Sequence, residues 1–394
     1  MLYRISKSRK KWQKGFINSV FKNKNSSNDT FSKIIQKNIA LLKDKQKYIP
    51  KTLCKFYAPT SDNILDIQKQ RIWLSHPSYF NDPFDCHVGY DIEEYEKQRF
   101  TKYIQQKMNH EFTSDEIERI KLSKTFVHYL ESMYRGTEEY YDVKHKILEK
   151  KSDELQKKIR NFISEITEDI NKKIEDIRKI NIRVACFSDL MKDENLKKSI
   201  TMWSHYADNH KGFCVEYDLS ILKQDFEFTL GEHDYYNESV QSKYLEERLL
   251  VTTKAGLFPV MYTSNRVNIP YSKLMKIEYK DGRLKHNPDI DAIIYKTYLV
   301  KSSDWSYENE WRLILDNKIS VYFDNKVPFP YIKRIYLGCK IDQKIKNTIL
   351  EIGKDLNVEV IQLLMDNKKF ILEEEPRYLV RDREWQKKYR NPFS

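Results

Sequence analysis

Glycine and proline are scarce in this chain, 9 and 11 among 394 residues. That excludes a collagen-like repeat and a Gly/Pro-rich disordered tract. No Gly-rich phosphate loop, G-x-S-x-G elbow or H-E-x-x-H pair is present, so the commonest phosphate, acyl-transfer and zinc-protease motifs are missing. The cysteines (Cys54, Cys86, Cys186, Cys214 and Cys339) are odd in number, scattered and never in a C-x-x-C pair. They read as reduced thiols of a cytoplasmic protein, not as a disulfide framework or zinc knuckle. No run approaches the roughly 18 apolar residues of a membrane span. The opening MLYRISKSRKKWQKGF has neither the apolar core nor the cleavage site of a secretory signal. The expectation is a cytoplasmic protein with no membrane partner.

What is present is the composition of a folded protein: 40% hydrophobic and 13% aromatic residues. The formal net charge of +12 points to an anionic partner, a nucleotide or a nucleic acid. A bias toward Lys, Ile, Asn and Tyr, of the kind AT-rich genomes encode, accounts for the charge equally well.

Residues 1–50 read as a basic arm, partly helical. Every charge up to Lys24 is positive, and Phe31, Ile34, Ile35, Ile39 and Leu42 then recur at helical spacing. A solvated basic start, suited to a polyanion, would precede a docked helix. Residues 51–394 read as one α+β domain with a helical insertion at about 92–180. There Leu155, Ile159, Phe162, Ile166, Ile170, Ile174 and Ile177 mark one long amphipathic helix, packed on another near 115–135. Around the insertion, TLCKFYAP, RIWLSHP, IRVACFSDL, LFPVMYTS, IKRIYLGCKI and NVEVIQLL are strand-like. SDNILDIQKQ, capped at Ser61 or Asp62, and QKIKNTILEIGKDL are helical. Strands and helices mix without a βαβ repeat, hence α+β.

Four stretches carry chemistry-bearing side chains, each with a plain structural account beside the functional one. FNDPFD (Phe80–Asp85) is an Asx-type turn, or a rigid loop presenting Asn81 or Asp82 to a ligand. MWSHYADNHKGF packs Trp203, His205, Tyr206 and His210 into a short helix ended by Gly212, as core aromatics or as a planar-ligand site. His205, His210 and Cys214 match no zinc spacing, so no metal is expected. WSYENEWRLIL (Trp305–Leu315) reads as a strand with Glu308, Glu310 and Arg312 on one face. Tyr307, Trp311, Leu313 and Leu315 would occupy the other. The charged face is either a structural ion pair or a catalytic carboxylate site.

Taken together these motifs resemble a bacterial family, the domain of unknown function 2971. They are Lys55-Phe56, Phe80–Asp85, Cys186–Ser188, Met202–Cys214, Pro259–Tyr262, Trp305–Arg312 and Ile335–Gly338, spread over about 52–372. The layout also resembles ADP-ribosyltransferases of DNA-modifying toxin–antitoxin pairs. That resemblance implies a mixed, split β-sheet core, NAD as co-substrate and no metal. It also implies a toxin or phage-defence effector that modifies a macromolecular acceptor, nucleic acid among the candidates. Carried over, Lys55 and Phe56 flank the cofactor, Ser188 sits on the central strand and Tyr206 stacks on nicotinamide. Asn81, Asp82, Trp203 and His205 join that binding set. Glu310 is then the catalytic carboxylate, Arg312 keeps it ionised and Glu308 positions the acceptor. Lys55 stands where those enzymes carry His or Arg. Two other readings stay open: a metal-dependent nuclease using Asp82, Asp85, Glu308 and Glu310, and a non-catalytic nucleotide sensor or adaptor.

Overall fold

Strands of three to seven residues, the central ones buried on both faces, build the main sheet of this chain. Its structure, a computed structural model, describes residues 7–20, 39–91, 167–177, 182–191, 195–223, 249–250, 252–280, 283–285, 288–315, 320 and 322–375. The eight main strands are β1 (Thr52–Tyr57), β2 (Arg183–Ser188), β3 (Phe213–Asp218), β4 (Leu257–Pro259), β5 (Glu310–Leu315), β6 (Ile332–Leu337), β7 (Glu359–Met365) and β8 (Leu372–Glu374). They pair in the order β8-β7-β6-β3-β1-β2-β5-β4. β6 and β7 run parallel, joined by a helix as a parallel pair requires. Their sheet neighbours are antiparallel. The architecture is mixed and mostly antiparallel, as expected for α+β.

Side-chain alternation gives the sheet two unlike faces. Leu53 and Tyr57, Ala185 and Phe187, Phe213, Val215 and Tyr217, and Trp311, Leu313 and Leu315 share one apolar core. Burying each of the larger of these is worth about 1.5–3 kcal/mol. Helices α1 (Lys7–Val20), α2 (Ile39–Tyr48), α3 (Ser61–Gln68) and α5 (Gln343–Asp355) contribute Trp12, Ile49 just past α2, Ile64, Ile67, Ile349 and Ile352 to it. The opposite face carries Cys54, Phe56, Cys214 and Tyr336 under Met202 and Trp203 of α4 (Ile200–Tyr206). Ser188, Glu216, Glu310 and Arg312 lie on this second face.

The first residues depart from the expected solvated start. Residues 7–20 are a helix whose Phe16, Ile17 and Val20 are buried, with Trp12 stacked on Tyr48 at 4.0 Å. An apolar i, i+4 pair hidden among lysines, Trp12 and Phe16, supplies the docking stripe. α3 is capped by Thr60, one residue before the expected position. Gly212 does not itself stop α4. The chain turns through Asp208, Asn209 and His210, all at positive φ, and a Cβ at Gly212 would lie 2.0 Å from the Tyr57 carbonyl oxygen.

By contacts the chain divides into two units. One comprises Met1–Cys86, Asn181–Asn265 and Tyr295–Ser394; the other comprises His87–Ile180 and Arg266–Ile294. The second unit thus takes a later segment in addition to the expected insertion. Within it, residues 167–177 are helical with Ile170, Ile174 and Ile177 buried. Gly89–Tyr90 pairs in parallel with Asn268–Ile269. The helix expected near 115–135, the start of the 149–180 helix, residues 31–38 and the tail from 376 lie outside the described residues. Among the described residues no helix is long and apolar enough to cross a membrane.

Candidate functional site

β5 begins the site. Its even-numbered side chains, Glu310 and Arg312, leave the apolar core and meet on the polar face. Glu308 is not on the strand, contrary to the expectation. It ends a 3-10 turn (Ser303–Glu308), and Asn309 at φ 46° turns the chain into β5. Asparagine tolerates this left-handed geometry, and its side-chain amide donates to the Asp189 carbonyl at 2.6 Å. Glu308 therefore reaches the same place as Glu310 through a turn. Tyr307 also departs from expectation: it packs on the polar-face cluster instead of joining Trp311.

Lys301 holds the site together. It lies in Val300–Ser302, a short strand parallel to Met261–Thr263 with Lys301 opposite Tyr262. Its ammonium donates to Glu308 Oε2 at 2.7 Å and lies 3.4 Å from both Glu310 Oε2 and Asp85 Oδ2. Asp85 arrives on the FNDPFD loop. There Asp82 Oδ1 accepts from the Phe84 amide at 2.9 Å, and the Asp82 carbonyl accepts from the Asp85 amide at 3.1 Å. Arg312 has no exposed surface. It makes two bonds to Glu310 (2.8 and 3.0 Å) and one each to Asp85 (2.7 Å), the Tyr298 carbonyl (2.9 Å) and Cys86 Sγ (3.0 Å). α4 supplies Tyr206, whose hydroxyl donates to Glu308 Oε1 at 2.5 Å. Tyr262 accepts from the Glu310 main-chain amide at 2.8 Å.

β1 and β2 share a single registered pair, Cys54 with Ser188, so the sheet opens beside it. Lys55 reaches into that opening, half-buried, with one long bond of 3.4 Å to the Cys186 carbonyl. A cavity of about 120 Å³ lies here. It is lined by Lys55, Phe56, Asn81, Ser188, Tyr206, Glu308 and Glu310, with Cys54, Phe80, Asp85, Cys186, Met202 and Lys301.

The two glutamates differ in proton affinity. Burial disfavours charge on Glu310, but Arg312 and then Lys301 outweigh it and hold the carboxyl at about 2. Burial, then the Glu310 charge, push Glu308 up to about 7 against the pull of Lys301 and Tyr206. Burial also lowers Lys55, which Cys186 and Glu310 partly offset. Burial and the neighbouring Glu308 raise Tyr206. Lys301 stays protonated: its three carboxylates, Glu310 first, overcome the cost of burial.

Among the residues singled out from sequence, Lys55, Phe56, Asn81, Ser188, Tyr206, Glu308 and Glu310 converge on the cavity. Arg312 lies behind Glu310 and acts through it. Three others lie apart from the lining. Asp82 is turned into its own loop. Trp203 is a core side chain with no exposed surface, bonded to the Leu196 carbonyl at 3.1 Å. His205 is exposed and bonded to the Tyr307 hydroxyl at 3.2 Å. Asp85, Glu308 and Glu310 meet, but on the Lys301 ammonium. Among the described residues no group of three His, Cys, Asp or Glu is arranged to hold a metal ion. The residue that sequence reasoning missed is Lys301. Its signal was a lysine directly after the apolar run Tyr298–Val300, seven residues before Glu308.

Residues 202–313 match the model of a family described as "Protein of unknown function (DUF2971)". The resemblance read from the motifs therefore holds over that segment, which carries Met202–Cys214, Pro259–Tyr262 and Trp305–Arg312. No curated protein and no solved structure matches the chain.

Proposed function

We propose that this cavity transfers a glycosyl group. It breaks the nicotinamide–ribose bond of NAD and passes ADP-ribose to a macromolecular acceptor. The observation that carries the reading is the unequal carboxylate pair, Glu310 fixed and ionised beside Glu308 near neutrality, facing one cavity. In the reaction the C1′–N bond breaks with its electron pair leaving on nicotinamide, and the ribose gains oxocarbenium character. Glu310, bonded to the ribose 2′-hydroxyl, stabilises that charge as it develops. The acceptor attacks C1′ and gives its proton to Glu308. Tyr206 stacks on nicotinamide, and Lys55, Phe56 and Ser188 flank the ribose and its phosphate. At about 120 Å³ the cavity is smaller than most ligand pockets, so it would take only the reacting end of the dinucleotide, with the remainder outside. The +12 charge favours an anionic acceptor such as nucleic acid.

The test is incubation with NAD and cellular nucleic acid or protein, following nicotinamide release and label transfer. Glu310→Gln should lower release by about 10²–10³-fold, the cost of removing one preorganised electrostatic group. No release by the unsubstituted protein, together with no NAD binding, overturns the reading. Binding that survives Glu310→Gln without turnover favours a sensor.

A further inference from the structure

The proposed reaction needs one carboxylate that keeps its charge and one that exchanges a proton. Two buried glutamates side by side do not reach that state unaided, because the first to ionise makes the second hold its proton. Arg312 settles Glu310: both carboxylate oxygens take guanidinium bonds, at 2.8 and 3.0 Å. Glu308 has no such partner. The cation in contact with it, among the described residues, is Lys301 at 2.7 Å.

We infer that Lys301 is the positioning residue for Glu308: clamped between Asp85, Glu308 and Glu310, its ammonium lets Glu308 release and retake a proton beside a permanently charged neighbour. The inference rests on the glycosyl-transfer reading for its purpose, though not for its physics. Every charged or titratable group facing Glu308 fits it. Tyr206 donates to one carboxylate oxygen and Lys301 to the other. Glu310 opposes ionisation, while Tyr307 and Tyr262 stand by as neutral phenols. Asp85 faces the ammonium from the far side and is itself held by Arg312, whose own charge opposes that of Lys301. The ammonium also sits 5.0 Å from the Trp305 ring centroid, a cation–π contact. Without that charge, Glu308 would be a buried acid next to an anion and would stay protonated at neutral pH.

The experiment is an infrared titration of glutamate-labelled protein, with the Glu308 carboxyl band assigned by its loss in Glu308→Gln. Its midpoint should lie at about 7. Lys301→Gln should move it up by about one unit or more, and Lys301→Arg should return it toward the original value. The unsubstituted protein gives a second readout that no folding defect can obscure. The Lys301 ammonium nitrogen resonance, assigned by its absence in Lys301→Arg, should change with the same midpoint. An unmoved midpoint in folded Lys301→Gln, or an ammonium resonance indifferent to that titration, overturns the inference. A shifted midpoint without nicotinamide release leaves Lys301 in this role and removes the transferase reading. Release with an unmoved midpoint does the reverse.

Discussion

The two faces of the central sheet come from the same strands and are held by different physics. On β5, Trp311, Leu313 and Leu315 enter the large apolar core, while Glu310 and Arg312, one residue out of phase, enter a buried charge cluster. On this strand both faces are dry: Leu313 and Arg312 each have no exposed surface. The apolar face gains from burial without direction or partner. The polar face incurs a desolvation cost for every charge and recovers it only while each ion keeps its counter-ion. Stability is thus a dependable product of the first face. On the second, burial together with Arg312 and Lys301 leaves two carboxylates of opposite habit.

The sharpest way to break the comparison uses adjacent residues of one strand. Arg312→Met should destabilise the protein by about 3–5 kcal/mol, because Glu310 and Asp85 are left buried with only the Lys301 ammonium, already shared with Glu308, to balance them. Leu313→Ala should cost about 2–5 kcal/mol through lost burial and a cavity. Chemical denaturation at several pH values separates them. The Arg312 deficit should shrink as pH falls toward 4 and the stranded carboxylates protonate, while the Leu313 deficit stays flat. Parallel pH profiles would mean that the Arg312 cluster is packing and not charge balance.

The apolar face was legible in the sequence and the polar face only in part. β1, β2, β3, β5 and β6 follow from period-two alternation and aromatic or β-branched content, and Glu310 and Arg312 are opposed to Trp311 by that rule alone. Glu308 was placed on the right face by the wrong route. Alternation extended backward assigns it to the strand, whereas a left-handed Asn309 carries it there from a 3-10 turn. Tyr307 shows the cost of that assumption, since in a turn it falls on the site's side. Lys301 was not legible because its partners are distant in sequence. A lysine in an apolar run is ambiguous until Asp85, more than two hundred residues earlier, is seen beside it. The first residues misled for a related reason: their lysines set the composition, while Trp12, Phe16, Ile17 and Val20 set the docking.

A smaller effect sharpens the contrast within the charge cluster itself. The folded pKa of Glu308 is raised, from 4.5 to about 7, so its contribution to stability is full below the unfolded value and is lost as pH rises through 7. Glu310 is lowered, from 4.5 to about 2, so its contribution is present above the unfolded value and lost as pH falls toward 2. Of these two glutamates only Glu308 changes between pH 5 and 8. Its own contribution should fall across that window by on the order of 2–3 kcal/mol, read as the difference between the unsubstituted protein and Glu308→Gln, since His210, whose pKa burial lowers, adds a slope of opposite sign. Melting temperatures over the window check it. A fall that survives Glu308→Gln would assign the proton to another group.

The mildest pair lies on α4, where neighbours in sequence divide between the cavity and the surface. Tyr206→Phe removes a 2.5 Å hydrogen bond to the Glu308 carboxylate and leaves the ring in place. A hydrogen bond to a charged group is worth about 1.5–3 kcal/mol, and the half-buried phenol recovers some of this from water, so the net cost should be about 1 kcal/mol. The loss falls on the ionised form of Glu308. Tyr206→Phe should therefore also move the Glu308 midpoint upward, by less than Lys301→Gln does. His205→Ala deletes an exposed imidazole whose bond to Tyr307 is 3.2 Å and which does not line the cavity. Its cost should stay within about 0.5 kcal/mol, with no movement of the midpoint. If His205→Ala shifted the midpoint as far as Tyr206→Phe, the boundary of the charge cluster would lie further out, through Tyr307.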